Sequence, residues 1–599
     1  MTTTELTGAE EISWDLSDLY ESGDDPRLDA DVAEAEQAAA AFRARYYEKV
    51  ASLSATELGA AIAEQERIES ILTRAIYYAH LWFSTDLVDS DRGALVARLT
   101  EKGAALETQL LFVGLEIAEL DDEAAEALAT APELERWSHW LRSLRKFRPY
   151  LLTEPEEKIS TEKSVSGVSA WDRLYEELLG AVKVPLDGEE LGFEEAMAKL
   201  YSGDRNVRRT AAEAVTESLA PGLRTRAFVV NTILLDKSID DRLRGYETWI
   251  SSRNLRNDTT DEAVQALIDA AVSRYGVVQR YYRLKARLLG LDRIAYYDRM
   301  APLADDPSLV TWEYAHDIVV GAYADFSQET GDIVERFFRE SWIDAPVREN
   351  KRTGAFCATT VPGVHPYVFL NFTGDRRSIL TLAHELGHGL HGYFAMPLGL
   401  FNADTPLTTA ETASVFGEAL TFKRLLALEE DPRRRLNLLA GRIEDSIATV
   451  FRQIAMNRFE DAIHNERRDQ GELSPERLEE LWLETQLALF ADSVDIDGYG
   501  TWWSYIPHFV SSPGYVYAYS YGFLFALAIF RRYEVEGDAM VEPYLELLRL
   551  GGSKPPEELA RVVGLDLTDP GIWESGIDAL AAELDEAESL ANEIGLGAS

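Results

Sequence analysis

Nine histidines are scattered through 599 residues, and two of them stand four positions apart with a glutamate after the first: His384-Glu385-Leu386-Gly387-His388. On a helix, positions i and i+4 lie on one face a turn apart, so both imidazoles can reach a single metal ion. Glu385 then projects beside the metal's open position, where its carboxylate can take a proton from a water. With histidine this scarce, chance would place an H-E-x-x-H in roughly one such chain per hundred. Ser378-Ile-Leu-Thr-Leu-Ala383, just ahead of it, has apolar residues at helical spacing. The bland alternative is an amphipathic buried helix with two hydrogen-bonded histidines. The residue types favour a site for one zinc ion.

A catalytic zinc site needs three protein ligands and a water, so two histidines leave it incomplete. Thr408-Thr-Ala-Glu-Thr-Ala-Ser-Val-Phe-Gly-Glu418 reads as a helix opening after a loop that runs from Pro397 to Pro406. Glu411 and Glu418, two turns apart, would share a face, and a carboxylate there could complete a His, His, Glu set. Further on, Tyr505-Ile-Pro-His-Phe-Val-Ser-Ser-Pro-Gly-Tyr-Val-Tyr-Ala-Tyr-Ser-Tyr-Gly522 gathers one histidine and five tyrosines around a Ser-Ser-Pro-Gly turn. Such neutral donors suit an oxyanion of the kind that forms when water attacks a carbonyl. A Tyr-rich buried helix is the structural alternative.

These stretches together resemble the thimet oligopeptidase and oligoendopeptidase F family of zinc metallopeptidases. The resemblance rests on His384-Glu-Leu-Gly-His-Gly-Leu-His391, on Glu411 in Glu-Thr-Ala-Ser, 27 positions after His384, and on two stretches closest to the oligoendopeptidase F branch: Gly354-Ala-Phe with His365-Pro-Tyr-Val-Phe-Leu-Asn-Phe372, and Trp14-Asp-Leu-Ser-Asp-Leu-Tyr20. It covers most of the chain and is strongest from Lys351 to Gly522. Carried over by position, it implies zinc ligands at His384, His388 and Glu411, the general base at Glu385, and a carboxylate orienting a ligand histidine at Glu418. His508, Tyr515 and Tyr519 fall on its substrate-clamping positions, the two tyrosines being i and i+4 and hence on one helix face. Tyr517 would then point away and pack. His391 fits the pattern without being a ligand. The implied fold is a mainly α, two-lobed metallopeptidase with a deep channel and a small β-sheet beside the H-E-x-x-H helix. The implied activity is hydrolysis of internal bonds in short unstructured oligopeptides.

Composition bounds what else the chain could be. With 59 basic against 104 acidic residues the formal net charge is −45, a field that repels nucleic acid and anionic membrane surfaces. Arginines far outnumber lysines and the acids are spread along the chain, which suggests a hydrated surface suited to a salty cytoplasm. Cys357 is the single cysteine, so neither an intrachain disulfide nor a cysteine-based zinc cluster is available. The first residues show no basic and apolar pattern of a secretory signal, and a cytoplasmic enzyme is expected.

Helical periodicity dominates from Asp29 to about Lys146 and again over 206–289 and 308–340. Lys351–Asp375 breaks the pattern: rich in Thr, Val, Phe and Gly, it reads as two short strands joined by a loop. Turn signals at Asp187-Gly188 and Ser202-Gly-Asp204 set a soft boundary between an N-terminal helical region, 1–200, and a catalytic region, 201–599. Gly387, Gly389 and Gly392 each cost a helix about 1 kcal/mol, and close approach of backbone or substrate would justify them. Two other readings stay open. A zinc carboxypeptidase would need a cation for the substrate's terminal carboxylate, with Arg352 or Arg376-Arg377 available; an inactive peptide-binding protein would need none of the catalytic groups.

Overall fold

The computed structural model describes residues 6–164, 166–303 and 309–596. The helices quoted below are α1 (Pro26–Tyr46), α2 (Ala55–Ser84), α3 (Ser90–Leu110), α4 (Leu223–Arg244), α5 (Ser251–Arg256), α6 (Trp312–Phe326), α7 (Gln328–Arg339), α8 (Arg376–Ala395), α9 (Thr412–Leu428), α10 (Arg452–Gln470), α11 (His508–Ser511) and α12 (Tyr517–Glu536). The chain is mainly helical, and it divides into two compact units that alternate along the sequence. One comprises Met1–Arg148, Ser308–Leu425 and Ile529–Asp566; the other comprises Pro149–Pro307, Leu426–Ala528 and Leu567–Ser599. Residue 200, the boundary expected between the N-terminal and catalytic regions, falls inside the second unit's first segment. Among the described residues no helix is long and apolar enough to cross a membrane.

In the first unit, α1, α2 and α3 pack around Leu28, Val32, Phe42, Leu58, Ile62, Leu72, Leu95 and Leu99, all buried. Their starts are written locally. Asp25 accepts the Arg27 N–H and precedes a proline in the first turn, and Ser54 and Glu57 form a reciprocal capping box. The N-terminal segment docks: Trp14 sets its ring edge-on against Tyr367 at 6.0 Å, and the Ala345 N–H donates to the Ile12 carbonyl at 2.9 Å.

Lys351–Asp375 does hold two strands, Phe356–Ala358 and Tyr367–Phe369, paired antiparallel with Phe356 opposite Phe369. A third, Ile343–Asp344, joins parallel, so that Tyr367–Phe369 is central. All three residues of the central strand are buried. Asp375 then caps α8, accepting the Ser378 N–H at 2.7 Å. The sheet thus delivers the chain directly into the H-E-x-x-H helix.

The second unit buries Trp482, Trp502, Trp503 and Trp573 almost completely. It also holds strands that periodicity did not reveal. Lys183–Leu186 and Glu189–Gly192 form a hairpin, and Ile294–Ala295 bridges Val494–Asp495 in parallel. The hairpin turns on Asp187 and Gly188, with φ of 54° and 86°, the left-handed pair that an Asp-Gly turn favours. The loop expected after Gly290 runs on into residues 304–307, which lie outside the described residues.

Candidate metal centre

Helix α8 presents His384 and His388 on one face, their rings 5.0 Å apart. Glu411 is the third member. It stands in the turn between a short helical segment, Leu407–Ala410, and α9, where its carbonyl accepts the Val415 N–H. One oxygen of Glu411, Oε2, lies 3.3 Å from His384 Nε2 and 3.4 Å from His388 Nε2. Two donors each about 2.0–2.1 Å from a tetrahedral metal lie about 3.3 Å apart. The spacing therefore fits one small divalent cation, and the three ligand atoms all lie within 4.8 Å of one another. Two nitrogens and a carboxylate oxygen, each half-exposed, also match zinc's preference for borderline ligands with one position left open.

The surrounding groups hold these ligands in place. Glu418 Oε2 lies 3.3 Å from His384 Nδ1. An Nδ1–H donated there leaves the Nε2 lone pair for the metal. The Ser414 hydroxyl donates to Glu411 Oε2 at 2.7 Å. The Tyr323 hydroxyl of α6 donates to the Ala383 carbonyl at 2.8 Å, pinning the turn just before His384.

The three groups are strongly coupled to one another. Burial opposes charge on His384, but the Glu411 and Glu418 carboxylates outweigh it and hold the imidazole's pKa up to about 10. Burial likewise works against the Glu411 carboxylate, and the two histidines overcome it and hold that group well below its usual range. Glu385 is nearly inaccessible, and burial raises its pKa against the pull of His384 and His388. A carboxylate so placed is a better base than one in water.

The three glycines prove to be packing notches. A Cβ on Gly387 would sit 2.6 Å from the Ser414 Cα, so the missing side chain admits the α9 backbone. Gly389 faces the Phe337 ring of α7, and Gly392 faces Thr359 and Pro366. His391, four-residue neighbour of Gly387 on the buried side, has its Nε2 without a partner among the described residues and stands outside the His384, His388 and Glu411 cluster.

The second constellation lies in the other unit and also assembles. His508, opening α11, has its Nε2 3.4 Å from the Tyr519 hydroxyl. Its ring lies 5.9 Å from that of Tyr515, and the rings of Tyr515 and Tyr519 lie 5.1 Å apart. The helix-face argument needs correcting, because α12 begins at Tyr517 and Tyr515 precedes it in the turn. Tyr515 meets Tyr519 through loop geometry, not helical periodicity. Tyr517 packs as expected, its hydroxyl donating to Asn254 Oδ1 at 2.7 Å and accepting from Asn257 Nδ2 at 2.9 Å. Burial, helped by Arg452, lowers the His508 pKa, so at neutral pH the ring is neutral.

Sequence reading missed the supports of this cluster. Ile447–Phe451 is a π-helical stretch leading into α10, and the Ser520 hydroxyl donates to the Val450 carbonyl at 3.0 Å. Such stretches free carbonyls from the regular ladder. No local residue pattern announces one.

Known proteins resemble the chain in sequence and in fold. The model of Peptidase family M3 matches residues 323–578, and that of Oligopeptidase F matches residues 116–183. Oligopeptidase PepF of Bacillus subtilis (strain 168) is 29% identical over 566 residues, covering 91% of this chain and 82% of that protein. A crystal structure from Chlamydophila abortus superposes with a TM-score of 0.87 over 98% of this chain and 99% of its own, at 23% identity. That of oligoendopeptidase-F from Enterococcus faecium gives 0.69 over 94% and 98%, at 22% identity. At such identities the structures establish the fold.

Proposed function

The chain belongs to peptidase family M3, on its oligoendopeptidase F branch, and from that premise we propose how its residues divide the work of peptide hydrolysis. The protein is a metalloendopeptidase acting on oligopeptides. It uses a divalent metal, which we assign as one zinc ion held by His384, His388 and Glu411. When bound, the metal acidifies a water and polarises the scissile carbonyl. Glu385 takes the proton of the attacking water and returns it to the leaving amine. Glu418 fixes the tautomer and orientation of His384. His508, Tyr515 and Tyr519 donate to the oxyanion, and a neutral His508 can do so without changing charge. All these residues belong to the catalytic region proposed over 201–599.

One observation carries the assignment: a single carboxylate oxygen stands 3.3 and 3.4 Å from two imidazole nitrogens. Glu385, the neighbour of one of those histidines, is buried beside them. Short unstructured peptides as substrates, a cytoplasmic location and adaptation to a salty interior belong to the same proposal. The net charge of −45 supports the last, since screening by salt relieves self-repulsion. The test is cleavage of an internally quenched peptide blocked at both termini, in high-salt buffer, with products identified by mass. Internal cutting abolished by a chelator is expected. Release of single residues from a free C-terminus, with the blocked peptide untouched, would favour the carboxypeptidase reading instead.

A further inference from the structure

Glu460 is fully buried on α10, yet no step of peptide hydrolysis described above uses it. Its Oε1 accepts the Gly514 N–H at 2.8 Å, and its Oε2 has no hydrogen-bond partner among the described residues. A buried carboxyl so sparsely satisfied costs stability unless its position is needed elsewhere. Burial raises its pKa to about 8, against the pull of the Gly514 N–H, Arg253 and Lys237, so at neutral pH it is mostly the neutral acid.

What it grips is the turn between α11 and α12. Gly514 has φ of 74°, and a Cβ there would meet Ile250 Cδ1 at 2.6 Å and the Trp249 ring at 3.3 Å. Arg253 of α5 donates from Nε to the Pro513 carbonyl at 3.2 Å, and its guanidinium lies 5.9 Å from the centre of the Tyr515 ring. The Trp249 indole N–H is itself held by Asp461 at 2.9 Å, beside Glu460 on α10. The peptide unit joining Pro513 to Gly514 is therefore held at both ends, its carbonyl by Arg253 and its N–H by Glu460. Tyr515 follows it directly, and His508 precedes it by one short helix.

We propose that Glu460, with Arg253, is a positioning residue for the oxyanion donors: by holding the Pro513–Gly514 peptide unit it sets where Tyr515 stands against His508 and Tyr519. The proposal rests on the assignment of that cluster to the oxyanion. The turn carries a positive-φ glycine and a Ser-Ser-Pro approach, so without side-chain anchors it would sample several conformations. Donors stabilise an oxyanion only when fixed beforehand, which makes loop anchoring a determinant of turnover and not of substrate affinity.

The test compares Glu460→Ala, Glu460→Gln and Tyr519→Phe on the blocked quenched peptide, with zinc affinity measured alongside by competition with a chromophoric chelator. Glu460→Ala should lose about ten-fold or more in kcat, with KM and zinc affinity unchanged. Glu460→Gln keeps a carbonyl oxygen for the Gly514 N–H and should stay within about two-fold of the wild type. A merely structural role would show as a lowered Tm without that kcat-specific loss and rescue. Wild-type kcat in Glu460→Ala, with Tyr519→Phe impaired, overturns the anchor and leaves the oxyanion assignment standing. Wild-type kcat in Tyr519→Phe, His508→Ala and Tyr515→Phe alike overturns that assignment, and the anchor's catalytic role with it. Should Glu460→Ala fail to fold, Arg253→Ala decides: a kcat-only loss supports the anchor, and unchanged kcat refutes it.

Discussion

Gly387→Ala is a sharp probe of how the metal centre is built, because alanine improves the helix and ruins the fit. In an exposed helix the change would add about 1 kcal/mol of stability. Here the new methyl would stand 2.6 Å from the Ser414 Cα and 2.8 Å from the Ala413 carbonyl carbon. Ordinary carbon–carbon contact begins near 3.5 Å, so the α9 backbone must recede by about 1 Å. Overpacking of this kind costs about 1–3 kcal/mol, which leaves a net loss of up to about 2 kcal/mol. The greater consequence is at the ligand. Ala413 lies two residues beyond Glu411, so the displaced strand of backbone carries Glu411 Oε2 away from His384 and His388. Ligand distances must hold to about 0.2 Å, and removing even an outer partner of a ligand costs ten- to a hundred-fold in affinity. Zinc affinity, read by chelator competition, should therefore fall at least a hundred-fold, with activity partly restored by excess zinc. Gly389→Ala is the control: its methyl would meet the Phe337 ring at 2.7 Å, so it should lower Tm while sparing zinc affinity. Wild-type zinc affinity and turnover in Gly387→Ala would refute the reasoning.

Three further outcomes are expected. Glu385→Gln should lower kcat by roughly 10²–10⁴-fold while zinc content, measured by atomic absorption, stays at one per chain; full activity would remove Glu385 as the base. Glu418→Ala, which frees His384 Nδ1, should weaken zinc binding by about ten- to a hundred-fold, and an unchanged affinity would make Glu418 an ordinary surface acid. The pH dependence of stability has a definite sign at Glu460. Its pKa is raised in the folded state from 4.5 to about 8. The folded chain therefore keeps a proton that the unfolded chain has lost. The resulting stability is full below pH 4.5 and is lost as pH rises through about 8, an upper limit of roughly 5 kcal/mol. Urea unfolding at about pH 5 and about pH 9 should show that slope in the wild type and a flatter one in Glu460→Gln.

The histidine pair was legible because it is local. His384 and His388 need only a helix to share a face, and helical periodicity around them is strong. The segment after Pro406 offered Glu411 and Glu418 alike, and only resemblance chose Glu411, since its distance from the histidines depends on how α9 meets α8. The reason for that close meeting, a glycine notch at 387 filled by the Ala413–Ser414 backbone, cannot be read from one helix alone. The strand pair at Phe356–Ala358 and Tyr367–Phe369 announced itself by composition. Its third member, Ile343–Asp344, is two residues long and joins only because the fold brings it alongside. The Asp187-Gly188 turn was visible, but four-residue strands flanking it gave too short an alternation to detect.

The sequence by itself determined the chemistry available: two imidazoles on one helix face, a carboxylate beside them, and a Tyr-rich segment around a Pro-Gly turn. These follow from residue type and short-range geometry, which the backbone dictates within one or two turns. The tertiary structure alone decided that one Glu411 oxygen stands within 3.4 Å of both imidazoles, that Tyr515 joins its cluster from a loop, and that Glu460 is buried beneath that loop. The first and last concern atoms tens of residues apart, whose distances are set by packing between elements; the second turns on where a helix begins, which the packed turn before it decides and no periodicity encodes.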